Sequence, residues 1–163
     1  MNFILIGYMI NWINSQTDKF TCLVNHDGVF NLEAEYFNTE ELWFPEWEFH
    51  GTPWDVKQKV KNGEMEENLY EKYSPHNYCQ NMNTPTLVIH GGKDYRVCET
   101  ESLSLFTVLQ RRGVPSKFLF FPDENHWCLK PRNWKKWQST INDWLDTWLN
   151  NNNNGGEEEE KST

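Results

Sequence analysis

Thr86-Leu87-Val88-Ile89-His90 is an unbroken apolar run closed by Gly91-Gly92. A strand with one face in water would alternate apolar and polar residues, so this run predicts a strand buried on both faces of a parallel sheet. Leu103, Phe106, Leu109 and Gln110 follow at helical spacing, with Gly113 where a helix C-terminal cap favours glycine. A second strand is predicted over 117–121. Upstream, residues 1–6 read as a short buried strand, followed by Gly7 and a helical pattern through Ile10 and Ile13. Thr21–Val24 reads as another strand, ending at Asn25-His26-Asp27-Gly28, whose Asp-Gly pair signals a turn. Strands and helices in alternation imply an α/β fold with a mostly parallel sheet flanked by helices. In such sheets function gathers at the carboxyl ends of the strands.

Trp134, Trp137, Ile141, Trp144, Leu145 and Trp148 recur at three- and four-residue steps, the stripe of an amphipathic helix covering the sheet. Between the second and third strands lies an aromatic-rich insertion over 30–54, in which Pro45 and Pro53 interrupt any long helix. Glu46 and Glu48 read as part of its loop structure. Residues 57–72 read as a charged surface loop or short helix. Asn150–Asn154, two glycines and the run Glu157–Glu160 cannot bury apolar surface. The expected organisation is one domain over 1–149 and a disordered tail over 150–163.

A formal net charge of −9 without a basic cluster argues against a nucleic-acid partner. The apolar opening is too short to span a bilayer and lacks the basic flank and cleavage site of a signal peptide, so no membrane association is expected. Cys22, Cys79, Cys98 and Cys128 lack the spacing of zinc or redox motifs and read as four free thiols in a reducing, cytoplasmic setting. His26, His50, His76 and His90 show no metal-ligand spacing and read as loop or strand-end residues. Neither a metal nor another cofactor is expected.

Two polar residues stand just beyond predicted strand ends, Asp94 and His126. A serine hydrolase uses such a pair: histidine takes and returns the nucleophile's proton, while a carboxylate fixes the ring's tautomer and stabilises the imidazolium. In α/β-hydrolases the triad runs in the order nucleophile, acid, histidine, and these two fit its last two places.

HGGKDYRV (90–97), LFTVLQRRGVPSKFLFFPDENHW (105–127) and the tryptophan-rich closing helix resemble the carboxyl-terminal half of prolyl oligopeptidase family serine peptidases, especially the dipeptidyl-peptidase and acylaminoacyl-peptidase branch. GYMINWI (7–13), NHDGVFNLEAEY (25–36) and ELWFPEWEFHGTPW (41–54) fit the same branch. The resemblance implies a partial α/β-hydrolase fold, with Asp94 as triad acid and His126 as general base. It also implies substrate contact for Arg96 and Val97, and places Phe30, Tyr36 and Phe37 near the pocket for the residue before the scissile bond, where core packing is an equal alternative.

The chain departs from that family at the nucleophile. The family's turn reads approximately G-x-S-Y-G-G-Y-M, and Ile4 stands at the serine position, with Leu5 and Ile6 after it. No two glycines lie four apart with a serine midway, so no other G-x-S-x-G turn exists in this sequence. The expectation is a catalytic-domain fragment that is inactive alone and acts on a peptide substrate only if completed by an upstream segment. The alternative is a non-catalytic interaction module or half of a split hydrolase, which self-associates or pairs with a complementary half-domain.

Overall fold

The computed structural model describes residues 3–150, with side chains from Ile6 onward. Three strands, β1 (Leu23–His26), β2 (Thr86–Gly91) and β3 (Ser116–Phe121), form a parallel sheet in the order β1-β2-β3. Leu23 pairs with Thr86 and His26 with Ile89 across the first ladder. Thr86 pairs with Ser116 and Gly91 with Phe121 across the second. All six residues of β2 are buried, as its continuous apolar run requires.

Side chains alternate between the faces of β2, and each face has its own cover. Val88 joins Phe30, Met82, Leu105, Leu109 and Val114 under helix α6 (Glu99–Arg111). Leu87 and Ile89 point the other way, to Phe121 and Trp144 of helix α7 (Pro131–Leu149). Gly113 follows α6 at φ 71°, the left-handed conformation that ends helices. In α7 the residues Trp137, Ile141, Trp144 and Trp148 pack on the sheet. Trp134, in the first turn of the helix, does not follow the stripe inward: it stacks on Trp137 and stays 47% exposed. The Trp144 indole donates to the Leu23 carbonyl at 3.1 Å, tying α7 to β1.

The opening of the chain differs from the expected strand, turn and helix. Residues Phe3–Gln16 form one helix, α1, that runs straight through Gly7. A helix satisfies its backbone groups locally, whereas a strand here would need a neighbour. Gly7 is instead the point where α1 meets the end of β1. A Cβ on Gly7 would stand 2.5 Å from the His26 carbonyl oxygen and 2.6 Å from Gly28 Cα, so only two glycines facing each other permit this approach. Buried Asn25 fastens the contact, donating from Nδ2 to the Gly7 carbonyl and to Asn11 Oδ1, each at 2.8 Å.

Four short helices build the aromatic insertion and the charged stretch after it: α2 (Leu32–Tyr36), α3 (Trp43–Glu48), α4 (Pro53–Lys61) and α5 (Leu69–Lys72). Pro53 opens α4 at its first turn, where no amide donor is needed, and Thr52 caps it by accepting from the Asp55 amide at 3.2 Å. Pro45 likewise sits in the first turn of α3. The prolines therefore punctuate short helices. A 3₁₀ segment over Pro75–Asn81 leads into β2. Residues 151–163, nearly all of the expected tail, lie outside the described residues.

Candidate active site

Each of the three strands ends in a loop that delivers an ionisable side chain to one point. β2 leads to Asp94, β3 to His126 and β1 to Asp27, all at most 5% exposed. The loops are cross-tied. The Gly92 amide donates to the Phe121 carbonyl at 2.8 Å and the Lys93 amide to the Glu124 carbonyl at 2.8 Å. The Asp94 amide closes its own turn on the Gly91 carbonyl at 3.1 Å.

Asp94 and His126, 32 residues apart in sequence, are a hydrogen-bonded pair with Nδ1 of the ring 2.7 Å from Oδ2. The other carboxylate oxygen, Oδ1, accepts from the backbone amides of Arg96 at 2.9 Å and Val97 at 3.0 Å. With three donors on it, Asp94 acts as the acceptor, so Nδ1 of His126 carries the hydrogen and Nε2 is left as the base nitrogen. Nε2 is buried and has no partner among the described residues. An imidazole in this state can take a proton from a hydroxyl placed against Nε2.

The His126 loop is shaped by Glu124, a residue that no sequence pattern singled out. Its carboxylate accepts from the amides of Leu129 at 3.1 Å and Lys130 at 3.0 Å, and from Asn133 Nδ2 at 2.7 Å. Burial pushes its pKa up, but these donors outweigh burial and hold it below the usual carboxylate range. Glu101 does the same service for the start of α2, accepting from the Phe30 and Asn31 amides at 2.8 and 2.7 Å.

Of the other residues singled out in the sequence, Arg96 lies closest to the pair. Its guanidinium sits 4.9 Å from the centre of the Trp127 ring, and Nε is 3.1 Å from Glu41 Oε1. Val97 is fully buried beside Val29, Leu32 and Tyr36, and its amide serves Asp94. Phe30 is 3% exposed and belongs to a different cluster, under α6. Tyr36 is 5% exposed, its hydroxyl donating to Glu46 Oε1 at 2.8 Å. For Val97, Phe30 and Tyr36 the structure therefore shows core packing, Phe30 under α6 and the other two in one buried cluster. Ile4 lies in the first turn of α1.

His26 and His90, read from the sequence as ordinary loop or strand-end residues, adjoin the same cluster, His26 partly exposed. His90 is fully buried, with Nε2 2.9 Å from the Val97 carbonyl and Nδ1 2.7 Å from Ser102 Oγ. Nε2 must donate to that carbonyl, so Nδ1 accepts from the serine and the ring is neutral, consistent with burial lowering its pKa. Asp27 lies 3.2 Å from His26 Nε2, 3.4 Å from His90 Nδ1 and 3.7 Å from His126 Nδ1. Its carboxyl is pushed up to about 9, first by burial and then by the charge of Asp94, against one backbone hydrogen bond from Gly91. Asp27, Asp94 and His126 offer ligand atoms within 4.8 Å of one another, so they are the described residues that could hold a metal ion. A cation there would have to displace the Nδ1 hydrogen that Asp94 accepts.

Next to Val97 and its neighbours opens a cavity of about 250 Å³, lined by Tyr8, Val29, Leu32, Glu35, Phe44 and Phe49 among others. Glu35 is its anomaly. Oε2 is buried without a hydrogen-bond partner among the described residues, and the pKa of the carboxyl is pushed up to about 9 by burial, with Glu101, Asp94 and Cys98 adding to the shift. Glu35 and Asp27 therefore keep a proton in the folded chain that an unfolded chain, with carboxyls near about 4, releases. From about pH 7 upward unfolded histidines are already neutral, so above that point these carboxyls make stability fall as pH rises towards about 9. Thermal midpoints should decline between about pH 7 and about pH 8.5, and Glu35→Gln should shallow the decline. Equal slopes in the parent and the variant would contradict a protonated Glu35.

Comparison with known proteins places this geometry in context. The model of the prolyl oligopeptidase family matches residues 7–152. Dipeptidyl-peptidase 5 of Schizosaccharomyces pombe is 44% identical over 141 residues, covering 85% of this chain and 19% of that protein. Dipeptidyl-peptidase 5 of Porphyromonas gingivalis is 41% identical over 144 residues, covering 88% of this chain and 20% of that protein. Among solved structures, the uncomplexed acylaminoacyl peptidase of Pyrococcus horikoshii superposes with a TM-score of 0.73 at 27% identity, covering 88% of this chain and 22% of that one. The chain thus spans about a fifth of the length of the curated relatives it matches.

Proposed function

Because the chain belongs to the prolyl oligopeptidase family of serine peptidases, we propose that it supplies the acid and the general base of a peptide-hydrolysing site. In this reading Asp94 is the acid and His126 the base. A serine on a segment that this sequence does not contain would complete the triad. The observation that carries the reading is the buried Asp94–His126 hydrogen bond at 2.7 Å, with Nε2 left free of partners among the described residues. A serine hydroxyl brought to Nε2 would lose its proton to the ring as its oxygen attacks a peptide carbonyl, and the ring would return that proton to the departing amine. Arg96, set over the Trp127 ring and braced by Glu41, presents donors that suit a peptide carbonyl. The apolar cavity beside Val97 suits the side chain next to the scissile bond. A solved relative of similar fold holds Z-Gly-Gly-Phe-chloromethyl ketone, a ligand that fits such a cavity in kind.

The test is complementation. The chain co-expressed with the nucleophile-bearing upstream segment of a 40–46% identical relative should release dye from a dipeptidyl chromogenic substrate, and His126→Ala should abolish that release. A soluble, tightly paired complex without turnover would favour the alternative, a docking half-domain. That second reading draws on one observation, that β1 is an edge strand of the described sheet, the position from which a sheet is extended by pairing with another chain.

A further inference from the structure

We propose that Asp27 is a positioning residue of the Asp94–His126 pair, a second carboxyl group that braces the Nδ1 side of His126 and takes over its hydrogen bond when Asp94 cannot accept it. The proposal rests on the reading of Asp94 and His126 as acid and base, and adds a member to that site.

The placement is specific. Asp27 is the first residue after β1, as His126 and Asp94 follow β3 and β2, so the neighbouring parallel strands β1 and β2 each bring one carboxyl to the imidazole that β3 carries. Its amide donates to the Ile89 carbonyl at 3.1 Å, which fixes the backbone against β2. The residue adopts φ 50°, a left-handed conformation uncommon outside glycine, asparagine and aspartate, and this turn directs the carboxyl inward. The side chain is 3% exposed and Oδ1 has no hydrogen-bond partner among the described residues. A buried acid so placed has a cost unless it acts on something near it.

What lies near it is a ring of histidines. Oδ2 is 3.2 Å from His26 Nε2 and 3.7 Å from His126 Nδ1, while Oδ1 is 3.4 Å from His90 Nδ1. Two full negative charges this close, away from water, repel strongly, so the cluster settles on one. Asp94 holds it, since it alone receives three hydrogen bonds. Asp27 keeps its proton and can donate it to His26 Nε2, leaving the same oxygen beside the His126 ring. The imidazole is thereby confined between two carboxyl groups, one charged and one neutral. Removing the charge from Asp94 removes one of the two causes that keep Asp27 neutral, burial being the larger. An approach of about 1 Å from its present 3.7 Å then brings Oδ2 within hydrogen-bond reach of the Nδ1 hydrogen, a contact that favours the charged carboxylate.

The experiment uses the full chain and reads the His126 tautomer from the nitrogen-15 shifts of its two ring nitrogens, correlated through the ring carbon-bound protons. Five proteins are compared: the parent, Asp27→Asn, Asp27→Gly, Asp94→Asn and the Asp27→Asn/Asp94→Asn double variant. Asparagine tolerates φ 50°, and Asp27→Gly serves as a second replacement that tolerates the same backbone. The parent should be in the Nδ1–H form. Asp94→Asn should keep that form in the majority, and the double variant should lower its ratio to the Nε2–H form by about tenfold, the effect of losing one hydrogen bond with a charged partner. Asp27→Asn and Asp27→Gly should each move both His126 nitrogen shifts. Should Asp94→Asn fail to fold, the two Asp27 replacements decide alone. If neither moves the His126 nitrogens, or if Asp94→Asn already shows the double variant's ratio, Asp27 has no positioning role. A parent in which His126 shows no Nδ1–H preference overturns the Asp94–His126 pairing itself, and the Asp27 assignment with it. In that case the catalytic reading fails too, an outcome distinct from a pair that forms without Asp27.

Discussion

Incubated alone with an excess of a fluorophosphonate, the purified chain is expected to remain unlabelled, and to cleave neither dipeptidyl nor ester chromogenic substrates above the rate of buffer. Fluorophosphonates report a serine whose oxygen is made nucleophilic by an adjacent base. The family position for that serine holds Ile4, whose side chain is hydrocarbon. Among the described serines, Ser15 is fully buried and donates to the Trp12 carbonyl at 2.7 Å, and Ser102 is fully buried against His90. On the proposed reading an acid and base without a nucleophile lose the covalent step, and the residual catalysis of triads lacking one member, about 10³–10⁴-fold, comes from an oxyanion hole and substrate binding, which the acid and base do not supply. Stoichiometric labelling at any serine, mapped by mass spectrometry, would show that a replacement nucleophile reaches Nε2 of His126.

The largest single-residue effect on stability is expected from Gly91→Ala. A Cβ on Gly91 would stand 2.2 Å from the Asn125 carbonyl oxygen and 2.8 Å from that of Glu124, both backbone atoms of the loop that carries His126. Backbone cannot rotate away as a side-chain tip can, so β2 and the His126 loop must part. Overpacking of this kind costs about 3 kcal/mol, which in a chain of this size lowers the thermal midpoint by about 10 °C. The same displacement should pull His126 away from Asp94 and bring its two nitrogen-15 shifts towards those of an unpaired ring. Gly63→Ala is the control, since Gly63 has φ 76° but no atom within 4 Å of its would-be Cβ. That replacement carries only the left-handed backbone cost of about 1 kcal/mol. A Gly91→Ala protein as stable as Gly63→Ala would mean that the loops are free to separate, and that the cross-ties between them do not hold the site.

The central strands and the pair they carry were legible because their signals are local. The run 86–90 announces burial on both faces, and Gly91-Gly92 and Gly113 mark where the chain must turn. Asp94 and His126 stand out as polar residues immediately after apolar runs, and family motifs around both fix their order. Asp27 escaped for the opposite reason. It occupies the equivalent place after β1, but Asp27-Gly28 is also a common turn pair, and only the parallel register of β1 on β2 shows where its carboxyl points. His90 looked like a strand end, and its burial depends on Ser102 twelve residues away. The opening helix was misread because a short apolar stretch fits a strand or a helix equally well, and the contact that decides it, Gly7 against Gly28, spans two elements. For Phe30 and Tyr36 likeness to the family left a place near substrate and core packing equally open, because their packing is decided by distant elements: Phe30 lies under α6, while Tyr36 shares a cluster with Val97.

The hydrogen bond from the Trp144 indole to the Leu23 carbonyl joins residues 121 positions apart. A chain emerging from the ribosome therefore makes β1 long before the helix that seals it exists. During that interval the Leu23 carbonyl and the apolar face of Val24 and Leu87 stay open to solvent and to other nascent chains. Long-range closure of this kind is slow, and it exposes sticky intermediates. The yield of soluble protein should accordingly respond to translation speed and to chaperone supply more than the stability of the finished fold would suggest.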